Sequence, residues 1–312
     1  MTVGQVLGSD GPRVSSVCVG TSPLGGMPDV YGYDVDSERA VATVVSALES
    51  PLNFLDTSNE YGDGKSELRI GAALRQSSVM CDDIVIASKA DPVRNSRVFD
   101  SSRVLESYAE SIDRLGVDSL DVFYLHDPER FDFDYVTRGG ALDALCDLKA
   151  SGKVGLIGVA GGAIPEMHRY LDTGVVDVLL NHNQFTLLDQ SADPLIDHAV
   201  SVGASFVNAA PYASGILAKP LSSQPRYQYQ APSPDIIEKV TWLHTICAQH
   251  CVPLAALALQ FSTRDSRVAS TVVGVSSPAR VHELVDNAAI HLPAALWDAV
   301  GERLGFEPPG RT

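Results

Sequence analysis

Positive charge is scarce in this 312-residue chain: 23 lysines and arginines stand against 39 aspartates and glutamates, a formal net charge of -16. Phosphate backbones and anionic membrane surfaces are recognised by clustered Lys and Arg, so nucleic acid and membrane are both poor partners, and a small molecule is the better expectation. Long apolar runs are missing too. No segment offers the ~18 uncharged apolar residues that a membrane span requires, and the opening MTVGQVLGSDGPR has neither the basic start nor the apolar stretch of a secretory signal. A soluble, cytoplasmic protein is expected. Paired cysteines are absent as well: Cys18, Cys81, Cys146, Cys247 and Cys251 form an odd set without a CxxC pair, which fits reduced thiols better than a disulfide framework. Cys18 and Cys146 lie in apolar runs and read as core.

His244, Cys247 and Cys251 recur at helical spacing, with His250 nearby, and resemble a ligand set. Ligands confined to one helix rarely complete a tetrahedral shell. A half-buried helix face is the expectation, and no metal.

Eight short β-rich runs follow one another along the chain: VSSVCVG, LNFLDT, DIVIASK, LDVFYLH, VGLIGVA, VDVLLNHN, ASFVNAA and VASTVVGV. Amphipathic stretches with helix start and stop signals separate them, such as Asp36 and Ser37 ahead of ERAVATVVSALES, or Ser101 and Ser102 ahead of RVLESYAESIDRLG, which closes on Gly116. The strands are apolar throughout rather than alternating, which implies burial on both faces, as in a parallel sheet wrapped by helices. Eight such units close naturally into a barrel. An open doubly wound sheet is the alternative, but its GxGxxG fingerprint is missing and the first βα turn reads GTSPLGG. With no internal repeat, low-complexity tract or linker, residues 1–312 read as a single α/β domain, a (β/α)8 TIM barrel. Its most irregular stretch, LAKPLSSQPRYQYQAPSPD, follows the seventh strand, and the part from 218 to 235 is a candidate lid over a bound cofactor.

Barrels carry their chemistry at the carboxyl ends of the strands, so polar residues at those positions are the first suspects. Asp56 ends NFLDT, Lys89 ends DIVIASK, His126 ends LDVFYLH, and Tyr61 lies in the Gly-bounded loop NEYGDG just past the second strand. Each has an ordinary structural explanation: a cap, a solvated amine, a packed aromatic, a satisfied imidazole. All four together in otherwise apolar surroundings point to a shared site, because an unpaired Lys or Asp there would carry a desolvation cost.

VCVGTSPLGG, FLDTSNEYGDGKSELRIGAAL, IASK, YLHDP and the closing VVGVSSPARVHE resemble the aldo-keto reductase family over nearly the whole chain. YLHDPE, QFTLLDQSADPL and APYASGILA look more like its D-threo-aldose, L-fucose and pyridoxal dehydrogenase branch, whose members form lactones. The resemblance implies an NAD(P)-dependent oxidoreductase, with Asp56, Tyr61, Lys89 and His126 as catalytic tetrad. In that scheme the Lys89 ammonium, held by Asp56, should lower the pKa of the Tyr61 phenol, and His126 should orient the substrate oxygen.

For the cofactor, the resemblance implies contacts from Thr21, Asp56, Asn183, Pro211, Tyr212 and Gly215 towards the nicotinamide, and from Gly274, Ser276, Ser277, Arg280 and Glu283 near the eighth strand. Several positions depart from the family pattern. Ala160-Gly161-Gly162 replaces the usual Ser-Asn after the fifth strand, and Ala209 stands where an aromatic usually stacks on the nicotinamide, unless Tyr212 takes over. Gly274 stands where many NADP-specific members carry a lysine, and Leu284 where an adenine-contacting Asn is common. Arg280 alone suffices for bidentate phosphate contact, which leaves NADP and NAD both open. Asn59, Glu60, Asp127 and Asn183 around the site suggest a polyhydroxylated substrate, with a general aldehyde or ketone reductase and a pyridoxal dehydrogenase as alternatives.

Two rival readings differ in kind. Tyr61 and Lys65 have the Tyr-x-x-x-Lys spacing of a short-chain dehydrogenase, but Gly62, Asp63 and Gly64 between them favour a loop over the helix that chemistry needs. A non-catalytic nucleotide-binding barrel is the other, since a fold alone does not imply an activity. Neither the physiological substrate, the favoured direction nor the oligomeric state is legible.

Overall fold

Ten strands are formed among the residues that the computed structural model describes, 4–78, 83–93, 96–138, 140–221, 227 and 230–307. They are β1 (Gln5–Val6), β2 (Arg13–Val14), β3 (Val17–Gly20), β4 (Phe54–Asp56), β5 (Val85–Ala90), β6 (Leu120–His126), β7 (Val154–Gly161), β8 (Val178–His182), β9 (Ser205–Ala209) and β10 (Val268–Gly274). Strands β3 to β10 are the eight runs read from the sequence. They pair in parallel, each with its successor, and β10 pairs back onto β3 to close the barrel. Parallel neighbours need a crossover, which the intervening helices supply.

Side chains alternate across each strand, and two cores result. In β5, Val85 and Ala87 point into the barrel with Phe54 of β4 and Val122 and Tyr124 of β6, whereas Ile86 and Ala90 face the helices with Leu55, Phe123 and Leu125. The same alternation carries polar residues inward at the carboxyl ends. Asp56 follows Phe54 by two, Lys89 follows Ala87 by two, and His126 follows Tyr124 by two.

The amino end of the barrel is plugged by something the sequence reading does not contain. β1 and β2 form an antiparallel hairpin, and Leu7 just past β1 and Val14 of β2 are buried in the inner core with Cys18 and Leu156. Two-residue strands are too short for a period to register, which is why the hairpin escaped.

Helix signals are mostly where the sequence puts them. Asp36 caps the helix Ser37–Leu48 by accepting from the Arg39 amide at 2.8 Å. The helix Ser101–Leu115 ends on left-handed Gly116 as expected, but its cap is Asp100, one residue ahead of the expected serines. The cluster of His244, Cys247 and Cys251 does not share a face: the helix Pro234–Gln249 ends before Cys251, which is exposed and left-handed at φ +56°. Among the described residues no group of three or more His, Cys, Asp or Glu is placed to hold a metal. Cys18 is buried, but Cys146 is only half-buried, and Cys81 lies outside the described residues.

Among the described residues no single helix is long and apolar enough to cross a membrane; the one apolar pair, Pro234–Gln249 and Leu254–Thr263, is bent by 101°. Of the candidate lid, 222–226 and 228–229 lie outside the described residues, while Tyr227 and Gln230 exchange backbone hydrogen bonds.

Candidate active site

Lys89 sits at the centre of the carboxyl-end mouth, 1% exposed. Its three ammonium hydrogens are all committed: to Asp56 Oδ1 at 2.7 Å, to the Thr57 carbonyl at 2.6 Å and to Tyr61 Oη at 3.2 Å. Tyr61 therefore accepts from Lys89 and keeps its own hydrogen for another partner. Asp56 Oδ2 is buried with no hydrogen-bond partner. Thr21, expected to face the cofactor, is instead fully buried, with its hydroxyl donating to the Asp56 carbonyl at 2.9 Å and accepting from Ser66. It anchors the end of β4.

The loop that presents Tyr61 depends on a close backbone approach. Gly62 has φ +65°, and a Cβ there would lie 2.0 Å from the Gly25 carbonyl oxygen, so the chain packs against the turn after β3 only without a side chain. The helix after it begins at Lys65. Tyr61 and Lys65 thus share no helix, which removes the structural basis for the short-chain dehydrogenase reading.

His126 reaches the same mouth from β6, its ring meeting that of Tyr61 edge to face at 5.8 Å between centroids. Its Nδ1 lies 2.6 Å from Asp91 Oδ1. The other Asp91 oxygen accepts from the Ser58 hydroxyl and, at 3.1 Å, from the Glu60 amide. Asp91 was not singled out in the sequence, although it continues the inward series Val85, Ala87, Lys89. His182 was missed in the same way: it continues the inward series Val178, Leu180 of β8, while Asn183 beyond it is left-handed at φ +68° and donates from Nδ2 to His182 Nδ1 at 2.9 Å.

Electrostatics run against one expectation. Burial, and then the carboxylates of Asp56, Asp91 and Asp127 together with Tyr31, push the Tyr61 phenol up rather than down. Lys89 is nearer to Asp56 than to Tyr61, so its charge is largely neutralised before it acts on the phenol. Burial would lower the His126 pKa, but the charge and hydrogen bond of Asp91, aided by Asp127, outweigh burial and Lys89 and raise it above the ordinary imidazole value. His182 is driven the other way, mainly by burial.

The departures at Ala160-Gly161-Gly162 have a steric cause. Glu129 folds over the end of β7, accepting from the Gly162 amide at 2.5 Å and the Ala163 amide at 3.2 Å. A Cβ on Gly161 would come 2.3 Å from Glu129 Oε2, and one on Gly162 would come 2.7 Å from the His182 ring. Two side chains from neighbouring elements fill the space of the missing Ser and Asn. The Tyr212 hydroxyl bonds Asn287, and the residue lies beside Glu283 and Arg280. Pro211 is buried and Gly215 has φ +88° in the adjoining turn.

At β10, Gly274 is exposed beside Pro23, and Leu284 is core. Ser277 caps the helix Pro278–Ala289, and Ser276 is half-buried just ahead of it. Arg280, on the first turn, is half-exposed and paired with Glu283 rather than free. A cavity of about 630 Å3 opens at the opposite end of the barrel, near Gln5, Ser16 and Arg264. It contains none of the inward carboxyl-end residues and belongs to the structural end of such barrels.

A closed parallel barrel with these inward groups at its carboxyl end defines a class, the (β/α)8 barrel enzymes. The aldo/keto reductase family model matches residues 16–302, and the chain belongs to that family. It is accordingly an NAD(P)-dependent oxidoreductase. It is 31% identical to the D-threo-aldose 1-dehydrogenase of a Pseudomonas species, over 86% of this chain and 88% of that one. It is 32% identical to the L-galactose dehydrogenase of Arabidopsis thaliana, over 90% and 86%, and 29% identical to the pyridoxal 4-dehydrogenase of Microbacterium luteolum, over 94% and 95%. The solved aldo-keto reductase AKR11C1 from Bacillus halodurans, in its holo form, superimposes with a TM-score of 0.81 over 97% of this chain and 96% of that one, at 22% identity, a likeness of fold.

Proposed function

We propose that the chain is a cytoplasmic sugar 1-dehydrogenase, oxidising an aldose or sugar derivative to its lactone, with Tyr61 as the proton-transferring residue. The observation that carries the assignment of Tyr61 is the Lys89 arrangement: the phenol accepts from a buried ammonium and keeps its own hydrogen for a substrate oxygen. A nicotinamide cofactor, when bound, would supply the hydride for reduction and accept it in oxidation. Tyr61 Oη gives its proton to the carbonyl oxygen in reduction and takes one from the substrate hydroxyl in oxidation. Asp56 and Thr57 hold Lys89, and Lys89 holds the phenol. His126 holds the substrate oxygen. The raised Tyr61 pKa leaves the resting phenol protonated, poised as the acid of reduction.

The residues at hand fit such a cofactor. Glu129 Oε2 is buried without a partner at the end of β7, an acceptor suited to a carboxamide amino group. Ser276, Ser277 and Arg280 at the start of the helix Pro278–Ala289 suit an adenosine phosphate. Breaking the Arg280 pair with Glu283 is part of that fit. Arg280→Ala should weaken NADP more than NAD in a fluorescence titration; equal losses would make the arginine structural or assign it to a feature common to both.

The sugar assignment rests on the polar residues Glu60, Asp127 and Asn183 and on the dehydrogenases named above. Asn59 donates to Glu110 and accepts from Arg103 and so braces the loop, which leaves Glu60, Asp127 and Asn183, the last bonded to His182, as the polar groups behind the assignment. A pocket built to pair hydroxyls rejects analogues that lack them by large factors, because its own polar groups are left unsatisfied. The expected result is a kcat/KM for a pyranose well above that for its deoxy analogues and for benzaldehyde. Aromatic aldehydes winning by ~tenfold or more would replace the assignment with a general carbonyl reductase, tenfold being about 1.4 kcal/mol in transition-state binding.

A further inference from the structure

Asp91 and His126 form a hydrogen-bonded pair that decides which nitrogen of the imidazole can serve a substrate. Asp91 is 3% exposed and held from every side. Its carbonyl accepts from Arg103 Nε at 2.8 Å and from Ser107 Oγ at 3.3 Å, both on the helix Ser101–Leu115, and its amide donates back to Ser107. Its carboxylate accepts from His126, Ser58 and the Glu60 amide. A carboxylate only accepts, so the hydrogen between Asp91 and His126 belongs to Nδ1. The Ser58 hydroxyl, already donating to Asp91, can only accept from the same Nδ1 at 3.3 Å.

With Nδ1 occupied, the neutral ring has a bare Nε2. It could then accept a hydrogen bond from a substrate hydroxyl but could not donate one to a carbonyl. Only the doubly protonated ring offers Nε2–H. The ring is 19% exposed at the mouth, and Nε2 stands 4.0 Å from Asp127 Oδ1, outside hydrogen-bonding reach.

We propose that Asp91, with Ser58, is a positioning residue that fixes His126 with Nδ1 as its occupied donor, so that Nε2 holds a carbonyl oxygen only when the ring is an imidazolium and reduction is gated by that protonation. The inference rests on the reading that His126 faces the substrate oxygen. The groups facing the ring are Asp91 and Lys89 from β5 and its end, Asp127 from the turn after β6, Tyr61 from the loop after β4, and His182 from β8. Their balance lifts the His126 pKa above its ordinary value of ~6.5. The sign follows: the imidazolium persists below that raised pKa, so kcat/KM for reduction holds on the acid side and falls as the pH rises through it. Oxidation, served by the bare Nε2, has the opposite limb.

The direct test is nitrogen-15 NMR of the imidazole through a pH titration of wild type, Asp91→Asn and Ser58→Ala, the His126 signal being assigned by its loss in His126→Gln. In wild type Nδ1 should stay protonated throughout while Nε2 titrates above ~6.5. In Asp91→Asn the titration should move to lower pH, the alkaline limb of kcat/KM for reduction should move with it by the same amount, and at a pH above both titrations kcat/KM should drop about tenfold for each unit moved. Ser58→Ala should give a smaller shift of the same sign. A neutral wild-type ring protonated on Nε2, or an unchanged titration in Asp91→Asn, overturns the proposal; the first is read on wild type and does not depend on how a variant folds. Full activity in Tyr61→Phe would instead sink the proton-transfer reading and leave this titration intact, so the two failures are separable.

Discussion

Lys89→Met is expected to lose nearly all turnover and a substantial part of the folding stability at once. Methionine matches the length of the lysine stem but leaves Asp56, 3% exposed, with Oδ1 stripped of its partner beside an Oδ2 that has none. Removing one member of a buried ion pair typically costs about 3–5 kcal/mol, more than a surface pair could. Chemical denaturation should register that loss. The Thr57 carbonyl and the Tyr61 hydroxyl lose their donor in the same step, so the phenol is no longer fixed and the substrate's proton partner moves. A double variant, Asp56→Asn with Lys89→Met, should recover stability without recovering turnover, since the uncompensated charge is gone but the phenol is still unheld. Wild-type stability in Lys89→Met would mean that the ion pair is not closed in solution.

Tyr61→Phe separates chemistry from folding more cleanly. Only the hydroxyl is removed, from a half-buried ring whose edge-to-face packing on His126 survives. Turnover should fall by about a hundredfold to ten-thousandfold, the range of general acid-base help, while cofactor affinity stays close to wild type. Because the Tyr61 pKa is raised, a base-side limb assigned to the phenol should lie above the ordinary tyrosine value in the free enzyme and be absent in the variant. Full activity in Tyr61→Phe would move the proton-transfer role elsewhere.

The barrel was legible because eight runs of apolar residues have no other use than two-sided burial, and the inward positions of Asp56, Lys89 and His126 follow from period-two alternation once the strands are placed. The same rule extended by one more step reaches Asp91 and His182. Asp91 lies one residue past the end of β5 and His182 is the last residue of β8, where the apolar run that marks a strand has already given way to polar residues. Tyr61 needed the glycines around it, and Gly62 proves to be fixed by contact with Gly25, a tertiary fact that no local pattern carries. The steric reason for Gly161 and Gly162 lies in Glu129 and His182, residues 32 positions before Gly161 and 20 after Gly162, and so was out of reach from the sequence. The misjudged pKa of Tyr61 has a similar origin: the sequence supplies the lysine next to the phenol but not the carboxylates that surround both.

Hydride transfer itself is the central claim, and it can be watched in one turnover. Enzyme loaded with NAD or NADP in oxidised form and mixed with an aldose deuterated at C1 should form reduced nicotinamide carrying that deuterium at C4, more slowly than with the protiated sugar, while Tyr61→Phe binds the same cofactor and forms almost none. Cofactor that binds but is never reduced by any aldose, and a reduced cofactor never oxidised by any aldehyde, would contradict the account and leave a barrel that holds a nucleotide without using it.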